Sequence, residues 1–259
     1  MKDTEHLELL LRSFRLPSFV MNYQDFATKA ERQKLAYVSY LHNLARTEGE
    51  ERQTRRIEGL IKKAQLLPGK TLDNFQLSKQ PSLPLGRVKE LAVGDFLDRC
   101  ENVLIFGVPG AGKSHLASAL GREWCLRGRR TFFITAAMLV QKLLVAKRDL
   151  KLEQLIKELD RFEALIIDDI SYIPFNRDET DVLFVLLAAR YETRSLIITS
   201  NLVFSDWQSV FKDPMTTQAA VDRLVHHATI LEMKESYRQA EAARRKKAEQ
   251  QQDKSSAKQ

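Results

Sequence analysis

Cysteine is scarce in this chain: Cys100 and Cys125 stand alone among 259 residues. Two isolated thiols exclude a disulfide framework and a paired-cysteine metal site, and they read as small buried side chains. Long hydrophobic runs are missing as well. No apolar stretch approaches the roughly 20 residues that a membrane-spanning helix needs. The opening Met1-Lys2-Asp3-Thr4-Glu5 is not a secretory leader. The expected compartment is therefore the cytosol, with no membrane partner. No serine sits in a nucleophile-elbow pattern. His226 and His227 are adjacent, so on a helix they point about 100° apart and on a strand to opposite faces, neither of which makes a natural two-ligand metal site.

What is present is an ordinary globular balance, 44% hydrophobic and 29% charged, with a net charge of +7. That excess favours a polyanionic partner, and it also keeps a protein soluble. Lysine and arginine are densest in 12–34, 52–63, 122–130 and 244–247. Each of these stretches reads equally as a solvated face.

The patterning divides the chain. Residues 1–67 read as a small helical domain: Pro17 can open a helix, and Thr47 with Glu50 fits a capping box. Leu35, Val38, Leu41, Leu44 and Ala45 recur at helical spacing and predict a packing face, as do Ile57, Leu60, Ile61 and Ala64. Pro68-Gly69 stops the last helix. Residues 68–86 form an extended connector with apolar anchors, followed by a helix over about 87–97. From residue 102 strand alternates with helix: strands at 103–106, 131–134, 164–167 and 195–199, helices at 113–127, 136–147 and 179–191, and one further short strand beyond Thr229. Continuous apolar strands separated by helices predict an α/β domain over 87–240, a mostly parallel sheet flanked by helices. The tail, 241–259, reads as a frayed helix passing into disorder.

One motif carries the chemistry. Gly107-Val108-Pro109-Gly110-Ala111-Gly112-Lys113-Ser114 fits the phosphate-loop pattern GxxxxGK[ST] in full, with a strand leading in and a helix leading out. The glycines allow the tight turn that aims backbone N–H groups inward, and the helix start adds its positive end. Lys113 can reach the β- and γ-phosphates, and the Ser114 hydroxyl can join a magnesium shell. His115 follows in the first helical turn, with simple packing as its alternative role. Leu165-Ile166-Ile167-Asp168-Asp169 delivers an acid at the end of a buried strand, beside the phosphate loop. Asp168 is placed to hold magnesium. Asp169 is placed to orient or deprotonate the attacking water, unless it is a structural or helix-capping acid. Asn201 follows the strand 195–199 and would approach the γ-phosphate if that strand neighbours the one ending at Asp168; the alternative is a turn residue. Arg223 lies in an otherwise apolar stretch and either pairs with Asp222 or another acid, or projects to a phosphate in an adjoining subunit. Arg238 has the same two readings.

Taken in order, Thr71-Leu72-Asp73-Asn74-Phe75, the phosphate loop, the 165–174 segment, Ile198-Thr199-Ser200-Asn201, Asp222-Arg223-Leu224 and Ser236-Tyr237-Arg238 resemble the IstB-like ATP-binding proteins. These are transposition helper ATPases of the AAA+ class, related to the DnaC helicase loader. The resemblance implies an ATP- and Mg2+-dependent ATPase that assembles into oligomers on duplex DNA, bends it, and assists the cognate transposase. It implies that Asn201 is the sensor-one residue, that Arg223 is the arginine finger, that Arg238 is the sensor-two arginine, and that Phe75 runs near the nucleotide base. Many AAA+ ATPases carry Asp-Glu where this chain has Asp168-Asp169, so the second carboxylate is drawn back by one methylene and turnover is expected to be slow or partner-dependent. DNA contacts are expected from charge alone at Arg12, Arg15, Lys147 and Arg148, mostly to phosphates. A replicative helicase loader and a small-molecule kinase with the same phosphate loop are the competing readings.

Overall fold

The computed structural model describes residues 2–170, 176–202, 207 and 221–236. The chain divides into two compact units, Met1–Gly59 and Leu60–Gln259. The division falls inside a helix, ahead of the Pro68-Gly69 stop. No helix among the described residues is long and apolar enough to cross a membrane.

The first unit holds α1 (Lys2–Ser13), α2 (Pro17–Gln33) and most of α3 (Tyr37–Lys63). Pro17 does open α2, where its missing N–H costs no helical bond. The cap expected at Thr47 is absent. α3 runs straight through, and the Thr47 hydroxyl donates back to the Asn43 carbonyl at 3.1 Å, the habit of a threonine inside a helix. The expected apolar packing face is also largely wrong. Leu44 is buried, whereas Val38 and Leu41 are 79% and 56% exposed.

A polar residue organises this unit instead. The buried Glu48 carboxylate accepts the Ser18 backbone N–H at 2.9 Å and is paired with Arg52 at 3.1 Å and Arg55 at 3.3 Å. The Ser18 amide lies in the first turn of α2, where a helix has no carbonyl of its own to offer. Burial pushes the Glu48 carboxyl upward, but the Ser18 bonds and Arg52 outweigh it and hold the group below its ordinary value. A depressed folded value means stability that is complete above the unfolded value of 4.5 and lost as pH falls through the folded one. Glu48→Ala should cost the first unit about 1–3 kcal/mol at neutral pH by orphaning that amide. Hydrogen exchange of α2 amides in the full chain checks this, and the gap between wild type and variant should close in acid.

The second unit is built on a five-stranded sheet: β1 (Asn102–Gly107), β2 (Thr131–Thr135), β3 (Ala164–Asp168), β4 (Ser195–Ser200) and β5 (Ala228–Met233). Every pair is parallel and the order is β2-β3-β4-β1-β5. The apolar strand runs foretell this, because a strand covered on both faces has no polar side to show. Alternate residues feed two cores. Val103, Ile105, Phe133, Ile166 and Ile197 pack on one side with α4 (Leu85–Val93) and α5 (Lys113–Leu126). Leu104, Phe132, Ile134, Leu165, Ile167 and Ile198 pack on the other with α6 (Ala136–Arg148), α7 (Leu152–Leu159) and α8 (Arg177–Arg190).

Several boundaries differ from expectation. The helix predicted to reach residue 97 stops at Val93, because Gly94 turns left-handed at φ 90°, and a 3-10 turn, Asp95–Leu97, follows. α7 was not anticipated. α8 begins two residues early because Asn176 and Glu179 form a reciprocal cap, 2.8 and 3.0 Å. The connector is anchored as expected, with Phe75 and Leu83 buried in the α5-side core. The fully buried Arg190 donates to the carbonyls of Leu159, Phe162 and Ser195 at 2.9–3.1 Å. It thereby ties the end of α7 to the entrances of β3 and β4. Burial draws its guanidinium down to about 10, still protonated at neutral pH. One topological feature bears on the site: β4 neighbours β3 and lies between it and β1.

Candidate nucleotide site

The site lies where parallel strands end, the edge at which α/β sheets bind ligands. β1 runs out at Gly107, and the chain turns through residues 108–112 into α5. Two of the glycines are required by what surrounds them. A Cβ on Gly107 would stand 2.2 Å from the Met233 carbonyl oxygen, so β5 passes too close for any side chain. Gly112 holds φ 95°, a conformation that other residues adopt at a cost. Val108 and Pro109 are exposed, Gly110 is half-buried and Ala111 is buried against the core. Ser114 sits half-buried in the first turn of α5.

Lys113 is buried, and its ammonium donates to the carbonyls of Gly107 at 2.8 Å and Val108 at 3.2 Å, and to Asn201 Oδ1. The Asn201 amide in turn donates to Asp169 Oδ1 at 3.1 Å. Lysine, asparagine and aspartate thus form one continuous chain. The topology explains it: β4 separates β1 from β3, so the residue just past β4 stands between the phosphate loop and the strand-end acids. Asn201 does lie in a tight bend, with Ser200 closing onto Leu202 at 2.7 Å. Its side chain nevertheless joins both neighbours.

Thr199 is the residue that the sequence reading missed. Its hydroxyl donates to Asp168 Oδ1 at 2.6 Å and accepts the Asp169 N–H at 2.8 Å. One hydroxyl therefore sets both acids. The available signal was a polar residue ending an otherwise apolar strand. Asp168 is buried, and burial holds the Asp169 carboxyl above the ordinary aspartate range, with Asp168 adding to the effect and Lys113 opposing it. Asp169 also has φ 58°. Aspartate and asparagine enter that left-handed region far more readily than glutamate. This gives a backbone reason for the shorter acid here.

The connector reaches the same loop. His115 Nε2 lies 3.0 Å from the Thr71 carbonyl, and its ring meets Phe75 edge-on at 5.3 Å. Burial lowers the His115 pKa, so the neutral ring is favoured. Gln80, fully buried, donates to the Ala111 carbonyl at 2.9 Å and the Glu235 carbonyl at 2.6 Å. Ser236 donates to the Pro109 carbonyl at 2.9 Å. Neither of these was foreseen.

The remaining candidates are dispersed. Arg223, in the helical residues 221–225, lays its guanidinium over the Phe184 ring at 4.8 Å. His226 Nδ1 is 3.0 Å from the Tyr191 hydroxyl and His227 is 3.8 Å from the Glu192 carboxylate, so the pair brackets the turn after α8. Arg12 and Arg15 are exposed in the first unit. Lys147 and Arg148 are in the second unit, paired with Asp178 and Asp149 at 3.1 Å each. Arg238 and the segment 171–175 lie outside the described residues.

The donor set fits a magnesium nucleotide: a buried ammonium, a turn of backbone amides at a helix start, a hydroxyl at Ser114, and a buried strand-end carboxylate. The chain is similar to known proteins over most of its length. The family described as "IstB-like ATP binding protein" matches residues 9–247. An insertion-sequence ATP-binding protein of Sinorhizobium fredii is 45% identical over 247 residues, covering 95% of this chain and 83% of that one. The insertion sequence IS21 ATP-binding protein of Pseudomonas aeruginosa is 38% identical over 233 residues, covering 90% and 88%. Among solved structures, the DnaC helicase loader matches with a TM-score of 0.51 at 18% identity, over 57% of this chain and 87% of that one, a likeness of fold.

Proposed function

The chain belongs to the IstB-like ATP-binding proteins, and from that premise we propose that it is an ATPase that assembles in an ATP-dependent way on duplex DNA, remodels it and assists a cognate transposase. The observation that carries this reading is the Lys113–Asn201–Asp169 chain, set beside Asp168 and Thr199. It brings the ammonium and the two strand-end carboxylates to one point at the sheet edge. Lys113 binds the terminal phosphates. Ser114 and Asp168 hold magnesium, which when bound neutralises phosphate charge and orients the leaving oxygen. Asp169, its carboxyl held high by burial, takes a proton from water that Asn201 helps to place. Phe75 and His115 border the base, and Arg238 takes the sensor-two role.

Arg223 completes the site of a neighbouring subunit. Residues 1–67 and the cationic positions Arg12, Arg15, Lys147 and Arg148 contribute DNA or partner contacts, and residues 87–240 form the ATPase domain. Two bonds between Lys147, Arg148 and nearby acids would exchange for phosphate on binding, so the affinity for DNA should fall steeply with salt.

Arg223→Ala provides the test. Nucleotide affinity should stay within about threefold, while hydrolysis in the presence of DNA falls by about 10³-fold or more, the range of trans-acting arginines. ATP-dependent oligomers on a duplex, followed by mass and by DNA retention at rising salt, should be lost with it. Equal DNA binding by wild-type and variant monomers would contradict the assembly reading. A phosphorylated acceptor in place of free phosphate would favour the kinase.

A further inference from the structure

The geometry points to Gln80 and Ser236 as positioning residues of the phosphate loop, a role that rests on the ATP-binding reading and adds a mechanism to it. A peptide group is planar and trans, so its C=O and the N–H of the next residue point in opposite directions. Fixing a carbonyl therefore aims the amide behind it. In this loop two carbonyls are held from outside it. Ser236 Oγ donates to the Pro109 carbonyl, which fixes the Gly110 N–H. Gln80 Nε2 donates to the Ala111 carbonyl, which fixes the Gly112 N–H. These are glycine amides of the turn that must face a polyphosphate.

Neither residue belongs to the loop, to α5 or to the strand-end acids. Gln80 comes from the connector, and Ser236 follows β5. The same Gln80 nitrogen also donates to the Glu235 carbonyl at 2.6 Å, and Ser82 donates to the Glu235 carboxylate at 3.0 Å. The connector and the segment after β5 are thus joined to each other as well as to the loop. Gln80 Oε1, moreover, is buried with no hydrogen-bond partner among the described residues. A glutamine kept only to fill space would be bettered by an apolar side chain of the same size, since an unmet buried acceptor lowers stability. What distinguishes glutamine at this position is its pair of N–H donors, one spent on the Ala111 carbonyl of the loop and the other on the Glu235 carbonyl of the segment that carries Ser236.

Titration of the full-length protein with a fluorescent ATP analogue and Mg2+ tests this. Gln80→Leu should weaken binding about tenfold, and Ser236→Ala about threefold, the second variant deciding the matter should the first not fold. Leu159→Ala, in the core on the opposite face of the sheet, serves as a control for lowered stability and should bind as wild type does. Gln80→Glu separates donor loss from general damage. Its carboxylate would face two carbonyls at pH 8, and on protonation toward pH 6 it regains one donor, because burial between acceptors raises a glutamate's pKa. Its affinity should therefore recover in acid relative to Gln80→Leu. The proposal is overturned if Gln80→Leu and Ser236→Ala both bind within measurement error of wild type, or if the glutamate variant shows no recovery. A folded wild type that binds no magnesium nucleotide would instead remove the ATP-binding reading itself.

Discussion

Replacing Lys113 with alanine should weaken ATP binding by about 100-fold or more, equivalent to about 2.7 kcal/mol. A hydrogen bond to a charged group contributes about 1.5–3 kcal/mol, and this ammonium is buried, where water cannot substitute for it. Its present partners are the Gly107 and Val108 carbonyls and Asn201. These three acceptors are neutral, and an anionic phosphate oxygen accepts from an ammonium more strongly than a carbonyl does. Titration with a fluorescent ATP analogue checks the expectation. Binding within threefold of wild type would mean that the lysine does not face phosphate.

Asp169→Asn should do the opposite: leave nucleotide affinity within about threefold and lower phosphate release by about 10²–10⁴-fold, the span of general-base contributions. Asparagine is the same size and tolerates the left-handed backbone that φ 58° requires, so the Asp169 N–H bond to Thr199 should persist. What is lost is the ability to accept a proton. Rapid-quench measurement of phosphate release, paired with binding, separates the two steps. If affinity and turnover fell together, Asp169 would be a structural acid, as one sequence reading allowed.

The fold was legible because its signals are local. Val103-Leu104-Ile105-Phe106 and Ala164-Leu165-Ile166-Ile167 announce strands buried on both faces, and the glycines of 107–112 announce the turn between strand and helix. α7 had its signal too, with Leu152, Leu155, Ile156 and Leu159 at helical spacing. Its start carries no capping side chain, Lys151 standing at the N-cap position, so nothing local marks where it begins. The site was legible as far as its motif extends: Lys113, Asp168, Asp169 and Asn201 converge as expected. Thr199, Gln80 and Ser236 were not, for a physical reason. Each acts through a hydrogen bond to a residue at least 31 positions away, and nothing in the local pattern marks which polar side chain meets which distant carbonyl or carboxylate. The Val38 and Leu41 stripe failed in the reverse direction, because periodicity shows that a helix has an apolar face without showing that the face is covered.

The most direct measurement is magnesium-dependent phosphate release from ATP by the purified full chain, alongside Asp168→Ala. The account predicts slow turnover in the wild type that requires magnesium, rises with duplex DNA, and disappears in the variant. A folded wild type that releases no phosphate under any of these conditions, or an Asp168→Ala protein as active as its parent, would contradict it.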